Sequence, residues 1–332
     1  MSEPQTRSRR PLASLSIDVD NKWAYLRAAG RENWESCDSY LPMALRRVTD
    51  ILGELRLPLT AFVVGRDLES EEDVEAIDSL RQLGDCELAN HSLNHLPWMH
   101  TMDPAEIECE IVTTHDRLLS ALDAEAVGFR GPGFSCPPEV LDVLLRHGYR
   151  YDASIFPTSI APIARAVFLA RAKLKGEQKE KAKKLYGGFA SMRNPNRPFV
   201  RSVASESIWE IPVTVMPWLR TPIHFSYFTF LASFSTAVAK SYLRTAFRLC
   251  RSTGTPPSLL LHPPDFMGRE DDQDMAYFPG MKTARADKLE LVRWALALYA
   301  ETFEVCTMRN QIERLDESSA NPSPHFSNRR ER

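Results

Sequence analysis

Short apolar runs alternate with longer stretches in which apolar residues recur every three to four positions, and the alternation holds along most of the chain. The short runs Leu12–Ile17, Leu59–Val64, Cys86–Ala89, Val127–Phe129, Tyr149–Tyr151, Ile208–Pro212, Ser258–Leu261 and Phe303–Thr307 predict strands. Between them, LPMALRRVTDILGELR, DPAEIECEIVTTHDRLLSALD and PPEVLDVLLRHG predict amphipathic helices, and the latter two open with Asp or Pro before a charged first turn. Strand and helix repeated in this order predict parallel strands joined by crossover helices, an α/β fold. Seven or eight such strands fit a closed, irregular barrel. An open doubly wound sheet is the alternative, but no GxGxxG follows an early strand, so its dinucleotide-binding version lacks support.

The rhythm fails in three places. Residues 1–10 and 316–332 are polar, rich in Ser, Pro and Asn and without periodicity, so both predict disordered tails around a single domain at 11–315. Residues 158–200 interrupt the domain with a basic, helix-like insertion. Between 160 and 185 it carries Arg165, Arg171, Lys173, Lys175, Lys179, Lys181, Lys183 and Lys184 against Glu177 and Glu180. That local excess stands out in a chain of 332 residues with net charge −3 and pI about 6.3, a balance that argues against nucleic-acid binding by general positive charge. Six cysteines without CxxC spacing read as thiols of a reducing compartment. The first residues lack the apolar core of a signal peptide, and no window has the roughly 18 apolar residues of a membrane span. Cytoplasmic residence is the expectation.

Candidate chemistry collects at strand ends. The run SLSIDVD places Asp18 and Asp20 two positions apart, on one side of an extended backbone. Two such acids repel unless a cation, a base or an acid/base role separates them. In ELANHSLNH, His91 and His95 stand four apart just past another strand, and a helical turn there would bring both imidazoles to one face. Two histidines with a carboxylate from another strand make a first shell for a hydrolytic zinc or similar divalent ion, Co2+, Ni2+ or Mn2+ included. Arg130, followed by Pro132 and Gly133, offers a cation and a rigid turn whose backbone N–H can approach a reacting oxygen; Asp152 and His262 end two further strands. In a parallel α/β barrel the carboxyl ends of the strands form one face, where active sites lie.

The ordered set SIDVD, HSLNH, FRGPG, YDASIFP and LLLH resembles the five motifs of the polysaccharide deacetylase family, also called the NodB-homology or carbohydrate esterase family four domain. The likeness spans residues 14 to about 265 and includes TAFVVG at 60–65. It implies a distorted (β/α)7 barrel and a metal-dependent hydrolase that removes the N-acetyl group from an acetamido sugar. By the same resemblance Asp18 is the general base, Asp20, His91 and His95 are the metal ligands, and Arg130 orients Asp18. The Gly133 N–H serves the oxyanion, Asp152 tunes His262 as general acid, and Leu260 lines the acetyl-methyl pocket. Two departures matter. Val19 separates acids that are adjacent in the usual first motif, with Asn21 in place of the following Gly, a variant that resembles branches acting on smaller or lipid-linked sugars and on peptidoglycan. The motif around Asp152 lacks the family's frequent tryptophan.

The substrate expected is therefore an acetylated amino sugar of a lipid-linked or cell-envelope glycan intermediate, with residues 160–185 as a peripheral contact to the inner face of an anionic membrane or as a solvated lid. The aromatic run HFSYFTFLASF gives an interfacial or sugar-stacking surface, or core; Glu210 and His224 nearby are candidate substrate contacts. A deformylase or cyclic-amide hydrolase on the same fold, and a non-catalytic carbohydrate-binding relative, are the rival readings.

Overall fold

The computed structural model describes residues 10–160, 191–203 and 205–320. Nine strands form one sheet: β1 (Leu12–Val19), β2 (Leu59–Val63), β3 (Cys86–Asn90), β4 (Gly128–Phe129), β5 (Tyr151–Asp152), β6 (Phe199–Val203), β7 (Glu206–Glu210), β8 (Ser258–Leu261) and β9 (Glu304–Cys306). Their spatial order is β6-β7-β5-β4-β3-β2-β1-β8, and β9 also pairs with β1. Every pairing is parallel except the β6–β7 hairpin. The β1–β5, β7 and β8 strands curl toward closure. The segment after β7 meets β8 through Thr214 N–H to Ser258 O at 3.3 Å and Ser258 N–H to Thr214 Oγ1 at 2.7 Å, not through a ladder. This is the distorted (β/α) barrel expected, with its last seam held by single hydrogen bonds.

The eight runs read as strands all contain or adjoin observed strands. The β6 strand was not expected, because FVRSV shows neither a strong apolar run nor a buried face. It folds back antiparallel on β7, so the end of the 158–200 insertion is sheet. The neighbouring Asn196 side chain is tied to Val215 in both directions, at 2.7 and 2.9 Å. Residues 161–190, which hold all eight basic residues of the 160–185 stretch, lie outside the described residues. Residues 316–320 correct the expected tail. The helix Met308–Ala320 runs through them, and Asp316 accepts a 2.8 Å hydrogen bond from Trp209 Nε1.

The β1 strand shows how the sequence separates core from site. Ala13, Leu15, Ile17 and Val19 point outward into the layer packed by the helices. Ser14, Ser16 and Asp18 alternate with them and face the inside of the curl, buried but polar. Inside, a small apolar plug of Phe62, Ala89, Tyr151, Ala153 and Ile211, with Met308 and Ile312, packs beneath the polar groups at the strand tips. Helix ends follow local chemistry. Asp103 and Glu106 form a reciprocal capping box that starts the helix Pro104–Leu122.

Candidate active site

The strand tips converge on Asp18. Arg130, just past β4, is fully buried, which a guanidinium tolerates only when its charge is paired. It donates to Asp18 Oδ1 at 2.6 Å, to Ser16 Oγ at 3.1 Å and, through Nε, to Ala153 O at 3.0 Å. Its planar head lies 4.1 Å from the centroid of Phe62. One carboxylate oxygen of Asp18 is thus fixed, and the other faces His91 Nε2 at 3.8 Å and His262 Nε2 at 3.9 Å.

Asp20, His91 and His95 meet as the spacing suggested, but not on a helix. The chain leaves β3 in a loop in which Ser92 and His95 both adopt left-handed backbone, φ 62° and 49°. Such strain persists where surroundings over-determine it. Ser92 N–H is held by Asn90 Oδ1 at 2.8 Å, Asn94 is gripped through its backbone and side-chain nitrogens by Glu110 at 2.8 Å each, and Arg27 donates to the carbonyls of Asn94 and His95. The HxxxH spacing therefore works through a braced loop.

The three candidate ligand atoms lie within 4.8 Å of one another. His91 Nε2 and His95 Nε2 are 3.3 and 3.0 Å from Asp20 Oδ1, an oxygen that is buried and accepts no hydrogen bond. Tetrahedral ligands at about 2.0–2.1 Å from zinc stand roughly 3.3 Å apart, so the trio fits a divalent ion. His91 Nδ1 sits 2.6 Å from Arg130 O and donates to it in the tautomer that frees Nε2 for a metal. Burial works to raise the proton affinity of Asp20, but His95 and His91 outweigh it and hold the carboxyl well below its usual range. Burial likewise opposes charge on His91, and Asp18 with Asp20 reverses the balance upward.

The opposite wall departs from expectation. His262, at the tip of β8, does not meet Asp152. Its Nδ1 lies 3.2 Å from Ser226 Oγ and 3.9 Å from Asp265 Oδ2, and that same Asp265 oxygen accepts from His262 N–H at 2.9 Å. Asp265, three residues on in LHPPD, was missed; the only sequence signal was an acid within one turn of the histidine. Asp152 sits instead in a buried cluster, accepting from Ser154 Oγ at 2.5 Å and from Arg201 at 3.2 Å beside Glu210. Glu210 accepts from Ile155 N–H at 2.9 Å and Arg201 at 3.0 Å; burial and the neighbouring Asp152 raise its carboxyl well above the usual range. Arg201, on the unexpected β6, has no motif to announce it.

The remaining candidates surround these groups. Gly133 has φ 58°, and a Cβ there would come within 2.8 Å of Pro97 Cβ, so glycine lets this turn close against the His95 loop. Leu260 pairs in register with Ser16 and, unlike Leu259 and Leu261, belongs to no part of the outer core. His224 caps the helix Phe225–Ala232 through Nδ1, and burial with the nearby His262 pushes it down to about 3, so it is neutral.

Residues 36–151 match the family model described as polysaccharide deacetylase. Comparison with curated proteins gave no significant match. Among solved structures, the chain resembles a Mycobacterium smegmatis protein classed with the polysaccharide deacetylases, at 18% identity and TM-score 0.62 over 95% of this chain and 94% of that one. It also resembles an allantoinase at 12% identity and TM-score 0.54, covering 96% of both chains. A 4-alpha-glucanotransferase from Thermococcus litoralis aligns at 12% identity and TM-score 0.53 over 92% of this chain and 40% of that one. At these identities the structures speak for the fold, a distorted (β/α) barrel, and the family model speaks for residues 36–151, the segment that holds both histidines, Arg130 and Gly133 and is similar to polysaccharide deacetylases.

Proposed function

We propose that the protein is a divalent-metal hydrolase that removes the N-acetyl group from an acetamido sugar, with zinc as the metal that suits two imidazoles and one carboxylate. The observation that carries this reading is a carboxylate fixed by a buried arginine, set between a ligand trio and a histidine on the far wall. An ion held by Asp20, His91 and His95 supplies the Lewis acidity that activates a water and draws charge from the amide carbonyl. Asp18, locked by Arg130, takes the proton from the water as it attacks the carbonyl carbon. Protonated His262 donates to the nitrogen as the C–N bond breaks, because an amine anion does not leave at neutral pH. Ser226 and Asp265 orient its ring; that role was expected of Asp152. We assign the Gly133 N–H to the carbonyl oxygen, Leu260 to the acetyl methyl group, and Glu210 with Asp152 to shaping the pocket wall.

The substrate we favour is a lipid-linked or envelope-glycan precursor processed inside the cell. The six cysteines are all unpaired, and no described helix is long and apolar enough to cross a membrane. The test is to measure metal content and then acetate release from acetylated amino-sugar conjugates, with formate release and cyclic-amide opening in parallel. Bound metal lost in an Asp20→Ala, His91→Ala double variant, with acetate as product, supports the assignment. Formate or a ring-opened product in place of acetate overturns the substrate, and stoichiometric metal in the double variant overturns the site.

A further inference from the structure

One feature of the site's rim is not used by the reaction. Six aromatic rings succeed one another from the Gly133 turn outward. Phe134 and Phe156 lie 4.8 Å apart, Phe156 and His224 5.4 Å, His224 and Tyr227 6.4 Å, Tyr227 and Phe230 6.3 Å, and Phe230 and Phe234 5.1 Å. The first four are half-buried and the last two are exposed, 37% at Phe230 and 77% at Phe234. Phe134 has φ 62°, a left-handed conformation costly for an aromatic residue. The track starts beside Gly133, passes the helix whose Ser226 touches His262, and ends on open surface.

Where it ends, the surface becomes cationic. The helix Thr236–Thr253 begins two residues after Phe234 and carries Lys240, Arg244, Arg248 and Arg251 with no acidic residue. The three arginines are exposed, and their spacing of four and three puts them on one face. Val238, in the first turn, is exposed as well. Four of the six rings are phenylalanine, and it is Phe that forms the exposed end. Rings that stack on sugars gain from a polar edge that bonds the hydroxyls; Phe has none and suits hydrocarbon. Apolar rings beside unneutralised Lys/Arg match the boundary between acyl chains and anionic headgroups.

We propose that this face docks on an anionic lipid surface, and that the aromatic track guides the hydrocarbon anchor of a lipid-linked acetamido sugar so that its sugar reaches the metal site. The second clause rests on the deacetylase reading; the docking itself does not. The partner is a membrane.

The experiment is co-sedimentation of the full chain with vesicles of phosphatidylcholine alone and with phosphatidylglycerol added, for wild type, Phe234→Ser and Arg248→Gln/Arg251→Gln. Binding to the anionic vesicles is expected, falling roughly fivefold per arginine removed and about tenfold for Phe234→Ser. Thermal unfolding and hydrolysis of a soluble acetylated amino sugar should match wild type in both variants. Equal partition of all three proteins, or no preference for the anionic vesicles, overturns the proposal. So does a result in which Phe234→Ser binds vesicles normally but loses affinity for an acetylated oligosaccharide, which would make the track a sugar platform. Failure of the deacetylase reading would show instead as no acetate release with vesicle binding intact.

Discussion

Replacing Arg130 with Met removes the one cation that holds Asp18. The variant loses a charge-assisted hydrogen bond at 2.6 Å, two bonds to neutral acceptors at 3.1 and 3.0 Å, and the stacking on Phe62, while leaving a carboxylate that is only 4% exposed. Removing one member of a buried ion pair costs about 3–5 kcal/mol, most of it the desolvation of the charge left behind. In an Asp18→Asn background that charge is gone, and Arg130→Met should cost only the two neutral bonds and the packing, about 1–2 kcal/mol. The difference predicts a coupling energy of roughly 2–3 kcal/mol between positions 18 and 130. Denaturant unfolding of all four chelator-treated proteins, with an unchanged slope, measures it without a metal contribution. If the two substitutions add to within about 0.5 kcal/mol, guanidinium and carboxylate do not act as a pair and the fixed-base argument fails.

Asp18→Asn and His262→Ala should each keep the metal and lose about 10² to 10⁴ in rate, and the double variant should be little worse than the poorer single, since both serve one catalytic cycle; additive losses would separate their roles. Asp265→Asn should lower kcat by about tenfold or more with KM unchanged, a part of the general-acid contribution. Asp152→Asn should mainly disturb the Arg201–Glu210 cluster and substrate affinity, and the reverse pattern would restore Asp152 as the partner of His262. Burial, against hydrogen bonds from Trp23 and Asn21, raises Asp67 to about 7. Its folded state thus holds a proton that the unfolded chain releases near pH 4, so its stabilising effect is full below that pH and is lost as pH climbs through about 7. The loss is on the order of 4 kcal/mol; Asp67→Asn should flatten this part of the stability curve, and an unchanged slope in urea titrations between pH 4 and 8 would contradict it.

Much of this was legible because the site is made of strand ends. Asp18, Asp20, His91, Arg130, Asp152 and His262 each follow or close an apolar run, and in a parallel barrel such positions share a face. What the sequence concealed is which of them touch. Periodicity cannot tell that the chain after β3 turns through two left-handed residues, because those conformations are enforced by Glu110 and Arg27 from other elements. The pairing of His262 with Asp265 was hidden for a related reason. Asp152 ends a strand as a motif demands, but the antiparallel β6 supplies Arg201, which draws Asp152 into a different network. That strand alternates half-buried and exposed positions, but Val200 is exposed and Arg201 half-buried, so no hydrophobic pattern marks it.

The first strand of the chain lies in the interior of the sheet, with β2 on one flank and β8 and β9 on the other. During synthesis, then, β1 acquires its first neighbour early and its second only after Ser258–Leu261 has left the ribosome. Until that moment one edge of a strongly apolar strand stands open, with Leu15 and Ile17 awaiting the layer they are buried in. The nascent chain accordingly carries an adhesive edge through most of its translation, and Asp18 at its tip meets His262 only when one of the last segments is made. Termination of translation before Ser258 therefore leaves Asp18 without the strand that carries His262 to its side.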